Sequence, residues 1–258
     1  MLRKLLSLML VLAMFAMPVM AMTEESDLAY VKGNGKLVIG YTVYQPMNYT
    51  DADGIFTGFD TELAIAVTRF LGLTAEFVEI NWETKEIELA AKTIDCIWNG
   101  LTITDERKEN MEITAAYVKN AQVVVMKADA VYENTASLAG KTVVAEAGSA
   151  GEATVKSDAG LMLAEYISKE VQTACLMEVA AGTADAAVLD LTLANAMVGE
   201  GTDYAGLTIV DKLAVEDYGV AFRKGSDITA EVNKAFETLK ESGFLAELAQ
   251  KYGLDLAL

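Results

Sequence analysis

The run Asn99-Gly-Leu-Thr-Ile-Thr-Asp-Glu-Arg107, with Asp190 further along in Ala-Ala-Val-Leu-Asp-Leu, sets one cation and one anion among hydroxyl and backbone groups. Arg107 carries the planar fork that takes a carboxylate through two parallel N–H···O bonds. Asp190 can accept from an ammonium, helped by the Thr102 hydroxyl and a backbone carbonyl such as that of Gly100. An α-amino acid zwitterion needs that pair. A single Arg or Asp would read as a surface charge, but the local pattern argues otherwise. Ile94-Asp-Cys-Ile-Trp-Asn-Gly reads as a buried strand running into a glycine turn, and Thr104-Asp-Glu-Arg as a capped helix start. Loops at strand ends are where small-ligand sites gather.

The elements that must position these residues alternate between strand and helix, which argues for α/β layers. Leu37-Val-Ile-Gly is a strand, and Asp60 is placed to cap a helix reaching about Leu71. Residues 75–80 form a strand, 83–92 a helix, and a further strand starts at Ile94. Gln122-Val-Val-Val-Met is an apolar run suited to crossing between lobes. Lys141-Thr-Val-Val-Ala and Ala186-Ala-Val-Leu are buried strands, Tyr218-Gly-Val-Ala-Phe a return crossing, and 229–241 and 244–252 two amphipathic helices. No internal repeat or Pro/Gly-rich tether is visible.

The chain opens with Met1-Leu-Arg-Lys, an apolar run over 5–17 and Val19-Met-Ala, the pattern of a secretory signal peptide cut after Ala21. No cysteine stands near the cut, so no lipid anchor is expected there. No later stretch is long and apolar enough to span a bilayer, so the mature chain is expected to be periplasmic or extracellular, without membrane insertion. Losing Arg3 and Lys4 takes the net charge from −18 to −20, a poor match for nucleic acid or anionic lipid. Histidine is absent from all 258 residues, which excludes Ser-His-Asp and Cys-His catalysis and any His-ligated metal. No cofactor or metal is expected. Cys96 and Cys175 are expected in different lobes, each as a small buried hydrophobe.

Gly58-Phe-Asp-Thr-Glu-Leu-Ala, Ile94-Asp, Asn99 to Arg107, Gly140-Lys-Thr-Val, Ala147-Gly-Ser and Tyr218-Gly-Val-Ala-Phe-Arg-Lys-Gly together resemble the family 3 solute-binding proteins, the extracytoplasmic receptors of polar amino acid ABC importers. The resemblance covers nearly the whole chain after residue 35. It implies a two-lobed type II periplasmic-binding fold, each lobe a mostly parallel sheet flanked by helices and the two joined by two hinge strands. On that plan residues 1–21 are the signal peptide and 22–35 an N-terminal extension. Residues 36–121 and 218–258 form lobe one, and 122–217 form lobe two. A monomer working with an ABC permease is expected.

The turn Ala147-Gly-Ser-Ala-Gly-Glu152, ahead of a predicted helix, offers backbone N–H groups to an anion. The resemblance implies that Ser149 or Ala150 donates to the ligand carboxylate there. Many relatives carry a hydroxyl residue where Ala150 stands, so only its backbone can donate. Tyr44 corresponds to the aromatic that relatives lay against the ligand's aliphatic part, and Trp82 and Trp98 suit either cleft wall or core. Relatives that bind cationic side chains often carry Asp where Tyr41 falls. Glu146, at the end of the lobe-two strand, suits a cationic side chain, an amide or hydroxyl, or solvent. The alternative to a receptor is a dehydratase of the same fold acting on a cyclic carboxylate, with Glu146 as general acid.

Overall fold

The computed structural model describes residues 26–258. The expected signal peptide lies outside them, as does the start of the 22–35 segment. What is described of that segment is a docked helix. Helix α1 (Asp27–Asn34) is capped by Ser26 Oγ, which accepts from Ala29 N at 3.0 Å, and it buries Val31. Asp27 is held by Arg223 at 2.9 Å, and the same guanidinium reaches Asp95 at 3.2 Å.

In chain order the strands are β1 (Lys36–Tyr41), β2 (Tyr49–Thr50), β3 (Phe56–Thr57), β4 (Thr74–Glu79), β5 (Cys96–Thr102), β6 (Met111–Ile113), β7 (Val118–Lys127), β8 (Thr142–Glu146), β9 (Glu165–Lys169), β10 (Ala186–Asp190) and β11 (Leu207–Arg223). The helices after α1 are α2 (Phe59–Leu71), α3 (Lys85–Ala90), α4 (Asp105–Asn110), α5 (Ala150–Ser157), α6 (Gln172–Ala181), α7 (Leu191–Met197), α8 (Ile228–Glu241) and α9 (Phe244–Tyr252). All strands except the β2–β3 hairpin join one sheet of order β4-β1-β5-β11-β7-β10-β8-β9, with β6 on β11.

The pairing explains the alternating sequence. β4-β1-β5 and β10-β8-β9 are parallel, as strand–helix–strand connections require, whereas β11 runs antiparallel to both β5 and β7. Strands covered on both faces read as continuous apolar runs, and β5 and β10 are buried at every position. The crossing predicted from Tyr218-Gly-Val-Ala-Phe is only the end of β11, which is 17 residues long. Its middle is too polar to announce a strand, and its ladder with β7 slips twice, at Ile209/Asp211 and Lys212/Val215. Such slips bend a strand and strengthen its local twist.

Two local expectations change. The helix predicted over 83–92 is a 3₁₀ turn, Trp82–Thr84, running into α3. Asp60 does not cap α2. The first N–H groups of that helix bond the carbonyls of Pro46 and Met47 at 2.9–3.3 Å, so the Asp60 carboxylate turns inward. It accepts from Gly100 N at 2.7 Å and Tyr117 Oη at 3.0 Å. That close approach needs a glycine at 58, where φ is +128° and an added Cβ would lie 2.2 Å from Met47 O. Gly33, inside α1, has open space around it. Gly58→Ala is therefore expected to lower stability by roughly 2 kcal/mol or more, and Gly33→Ala to raise it by up to about 1 kcal/mol. Urea denaturation of both variants measures these opposite signs.

Candidate functional site

The end of β5 and the start of α4 build the cationic side of the site. Gly100 sits at φ +60° with Tyr44 and Tyr218 packed where a Cβ would point, the nearest ring atom 2.8 Å away. Thr104 caps α4 through a 3.1 Å bond from Arg107 N. Arg107 is buried, and its guanidinium donates to Thr102 O at 2.6 Å and Gly148 O at 3.3 Å. It joins no ion pair among the described residues. Burial pulls its pKa down, while Glu216 and Asp190 push it back up.

The anionic side comes from the ends of β10 and β8. Asp190 Oδ1 accepts from Asn120 Nδ2 at 2.7 Å and Gln122 Nε2 at 2.6 Å, and Oδ2 accepts from Gln172 Nε2. Gln172 also receives Asp190 N, at 2.9 Å, so one amide fixes both backbone and side chain. Glu146, 2 % exposed, keeps Oε1 without a partner. Burial, then Asp190, raise its pKa to about 8 against the opposing pull of Lys85 and Gln172. Ser149 caps α5 by accepting from Glu152 N at 3.0 Å, and its own N–H goes to Glu146 O at 3.2 Å. The free donors at that helix start are thus the N–H groups of Ala150 and Gly151.

Tyr44, Trp82, Asn99, Gly100, Thr102, Arg107, Glu146, Ser149, Ala150 and Asp190, the ten residues expected to bind ligand, line one small cavity of about 10 Å³ together with Gln172. Their contributions differ. Asn99 bonds Thr42 and Asn48 with both side-chain atoms, leaving its amide committed to the scaffold. Tyr44 Oη is held by Thr192 Oγ1 at 2.5 Å and Tyr218 Oη at 2.6 Å. Trp98 is fully buried against Phe236, ring centroids 5.9 Å apart, and does not reach the cavity. Tyr41 also stays out of it, packing on Phe56 at 4.8 Å and Phe77 at 6.2 Å. Cys96 and Cys175 are free and buried.

Gln172, Asn120, Gln122, Lys85 and Glu216 escape the sequence reading. Asn120 and Gln122 did leave a signal, two buried polar residues at strand spacing beside the apolar run of β7. Lys85 reads as a surface lysine, yet its Nζ donates to Trp82 O at 3.0 Å and Gly148 O at 2.9 Å. Burial, then Arg107, lower its pKa to about 8.

A mixed sheet whose two parallel halves are joined through long antiparallel strands, with a charged cavity at the strand ends, defines the type II periplasmic-binding fold, and the solved structures of that fold match closely. The profile of the bacterial extracellular solute-binding proteins, family 3, matches residues 37–255, and the chain belongs to that family. The arginine-binding extracellular protein ArtP of Bacillus subtilis is 30 % identical over 226 residues, 85 % of this chain and 87 % of the relative. An ABC uptake transporter substrate-binding protein from Streptococcus pneumoniae, solved with histidine, superposes with a TM-score of 0.83 at 30 % identity, covering 89 % of this chain and 97 % of that one. An ancestral amino acid-binding protein described as a precursor of cyclohexadienyl dehydratase gives 0.79 at 29 % identity, covering 88 % and 99 %.

Two buried acids and one partly buried acid have raised pKa values, Asp60 at about 7, Glu146 at about 8 and Glu216 at about 7, each chiefly through loss of hydration. A group raised on folding contributes stability that is full below its unfolded pKa and lost as pH climbs through the folded one. The ligand-free protein is therefore expected to melt at a higher temperature at pH 5 than at pH 8. Calorimetric scans across that range, with Glu146→Gln flattening the decline, check the sign.

Proposed function

We propose that the chain is the substrate-binding component of an ABC importer, that it captures an α-amino acid in the cavity, and that it hands this ligand to the permease outside the cytoplasm. The observation that carries the reading is the meeting of all ten sequence-singled residues around one buried space, with Arg107 on one side and Asp190 on the other. Arg107 and the N–H groups from Ala150 hold the carboxylate. Asp190, the Thr102 hydroxyl and the Gly100 carbonyl hold the ammonium, while Tyr44 and Trp82 cover the aliphatic part. Residues 36–121 with 218–258 make one lobe and 122–217 the other, with β7 and β11 as the hinge that ligand closes. The mature protein acts as a monomer.

Glu146 sets the side-chain preference. A buried carboxyl with an unpartnered oxygen favours a guest that brings a donor, hence a cationic or neutral polar side chain; glutamate or aspartate would bring a second carboxylate beside it, with no donor to offer. Arginine and histidine in the names of the similar proteins fit this preference. The same protonated Glu146 is the group a dehydratase would use, and the similarity to a dehydratase precursor makes a turnover assay with a cyclic carboxylate a necessary control. No turnover is expected.

Removing one member of a desolvated charge pair costs roughly 3–5 kcal/mol, so Arg107→Ala is expected to weaken binding at least about a hundredfold. Calorimetry with the best ligand decides this, and wild-type affinity would refute the assignment. A thermal-shift screen over the twenty amino acids is expected to rank cationic and neutral polar ligands first. Glu146→Gln is expected to relax that ranking by roughly 1–3 kcal/mol, the scale of a charged hydrogen bond. Glutamate as the best wild-type ligand would remove Glu146 from the side-chain subsite.

A further inference from the structure

One partly buried acid, Glu216, lies outside the set of residues that line the cavity. Glu216 follows the second register slip of β11, where it pairs with Asn120, and one strand further on Gln122 pairs with Asp190. That register brings three neighbouring strands' polar residues together. Glu216 Oε1 accepts from Thr102 Oγ1 at 2.8 Å, Asn120 Nδ2 at 2.7 Å and Gln122 Nε2 at 2.8 Å. The same two amide nitrogens donate to Asp190 Oδ1. Each NH₂ group has one hydrogen for each acid, so two carboxylates are clamped side by side by neutral donors.

An acidic pair alone would say little about a guest. Here Glu146, 2 % exposed, has Oε1 unpartnered in the cavity that Asp190 lines. Buried acceptors without donors call for a guest that brings N–H groups. The Thr102 hydroxyl has a single hydrogen, and Glu216 receives it, which leaves only lone pairs for anything else that hydroxyl meets.

Resting on the assignment of Asp190 and Thr102 to the ligand ammonium, we propose that Glu216 is a positioning residue of the ammonium subsite. It takes the Thr102 hydroxyl proton, turns the hydroxyl's lone pairs to the ammonium, and adds a second negative charge beside Asp190. The charged groups around Glu216 are Asp190 from β10 and Arg107 from α4, with Glu83, Lys85, Glu86, Glu106, Glu152 and Lys156 lining the groove it shares with Arg107. Burial and Asp190 raise its pKa to about 7, against the hydrogen bonds from Gln122, Thr102 and Asn120. An arriving ammonium favours the ionised form, so binding near neutral pH releases a proton. Below that pKa the ligand must displace the proton, and affinity falls as pH drops.

The test is titration calorimetry of the mature protein with arginine as probe, at pH 6, 7 and 8, in two buffers of different ionisation enthalpy. Glu216→Gln keeps an oxygen that accepts from Thr102, Asn120 and Gln122 but removes the charge. Its unliganded melting temperature is expected at or above wild type. Its affinity at pH 8 is expected to fall about tenfold, and its proton release to drop by up to one proton. The change in affinity between pH 6 and 8 becomes shallower by about tenfold. Glu216→Asp, which keeps the charge but withdraws it from Thr102, is expected to retain the proton release and lose affinity. Wild-type affinity and pH slope in Glu216→Gln, or wild-type affinity in Glu216→Asp should the first variant not fold, overturn the proposal alone. Wild-type affinity in Asp190→Asn, or no heat in wild type with arginine or any other amino acid, removes the ammonium subsite itself and this proposal with it.

Discussion

The site depends on keeping buried opposite charges apart. Left to themselves, Arg107 and Asp190 would pair and cancel, since attraction between charges is strong where water is scarce. Each is instead satisfied by neutral groups. Arg107 donates to the carbonyls of Thr102 and Gly148, and Asp190 accepts from Asn120, Gln122 and Gln172. Neutral partners lower the cost of burial without removing the charge. Both charges then keep their fields in the cavity. The same logic covers Lys85, which donates to two carbonyls and forms no ion pair among the described residues.

That arrangement is possible only because the sheet changes character at its centre. A wholly parallel sheet would place all its strand ends, and so all its polar groups, on one edge. Here β11 runs against both neighbours, and its bends carry Glu216 and Tyr218 to the mouths of strands from both halves. Tyr218 Oη meets Tyr44 from before the helical layer of one end and Thr192 from α7 of the other. The ladder that joins the halves thus also supplies part of the site.

The sequence made much of this legible where one physical signal dominated. Continuous apolar runs marked β5, β7 and β10, helical spacing marked α2, α8 and α9, and the Asn99 to Arg107 run located the cationic side. What stayed hidden depended on partners distant in the chain. Asp60 looks like a helix cap, and only the approach of Pro46 and Met47 shows that its carboxylate is free to support Gly100. The polar middle of β11 gives no strand pattern, so Glu216 reads as one acid among 38 acidic residues. Trp82 and Trp98 are chemically alike, and what separates them is which face of their element meets the cavity.

The excess of buried acid has a thermodynamic meaning for a protein that must bind and then release. Glu146 and Glu216 are raised toward neutrality by burial and by Asp190, so much of the site's negative charge is stored as protonated acid when no cation is present. A cationic guest draws that charge out by favouring ionisation, and the cost of ionising reduces the net affinity. A permanently ionised trio would hold a cation more tightly and destabilise the empty protein more. Proton-loaded acids moderate both effects. With no histidine in the chain, these carboxyls and the desolvated Lys85 are the groups that burial moves toward neutral pH at the site.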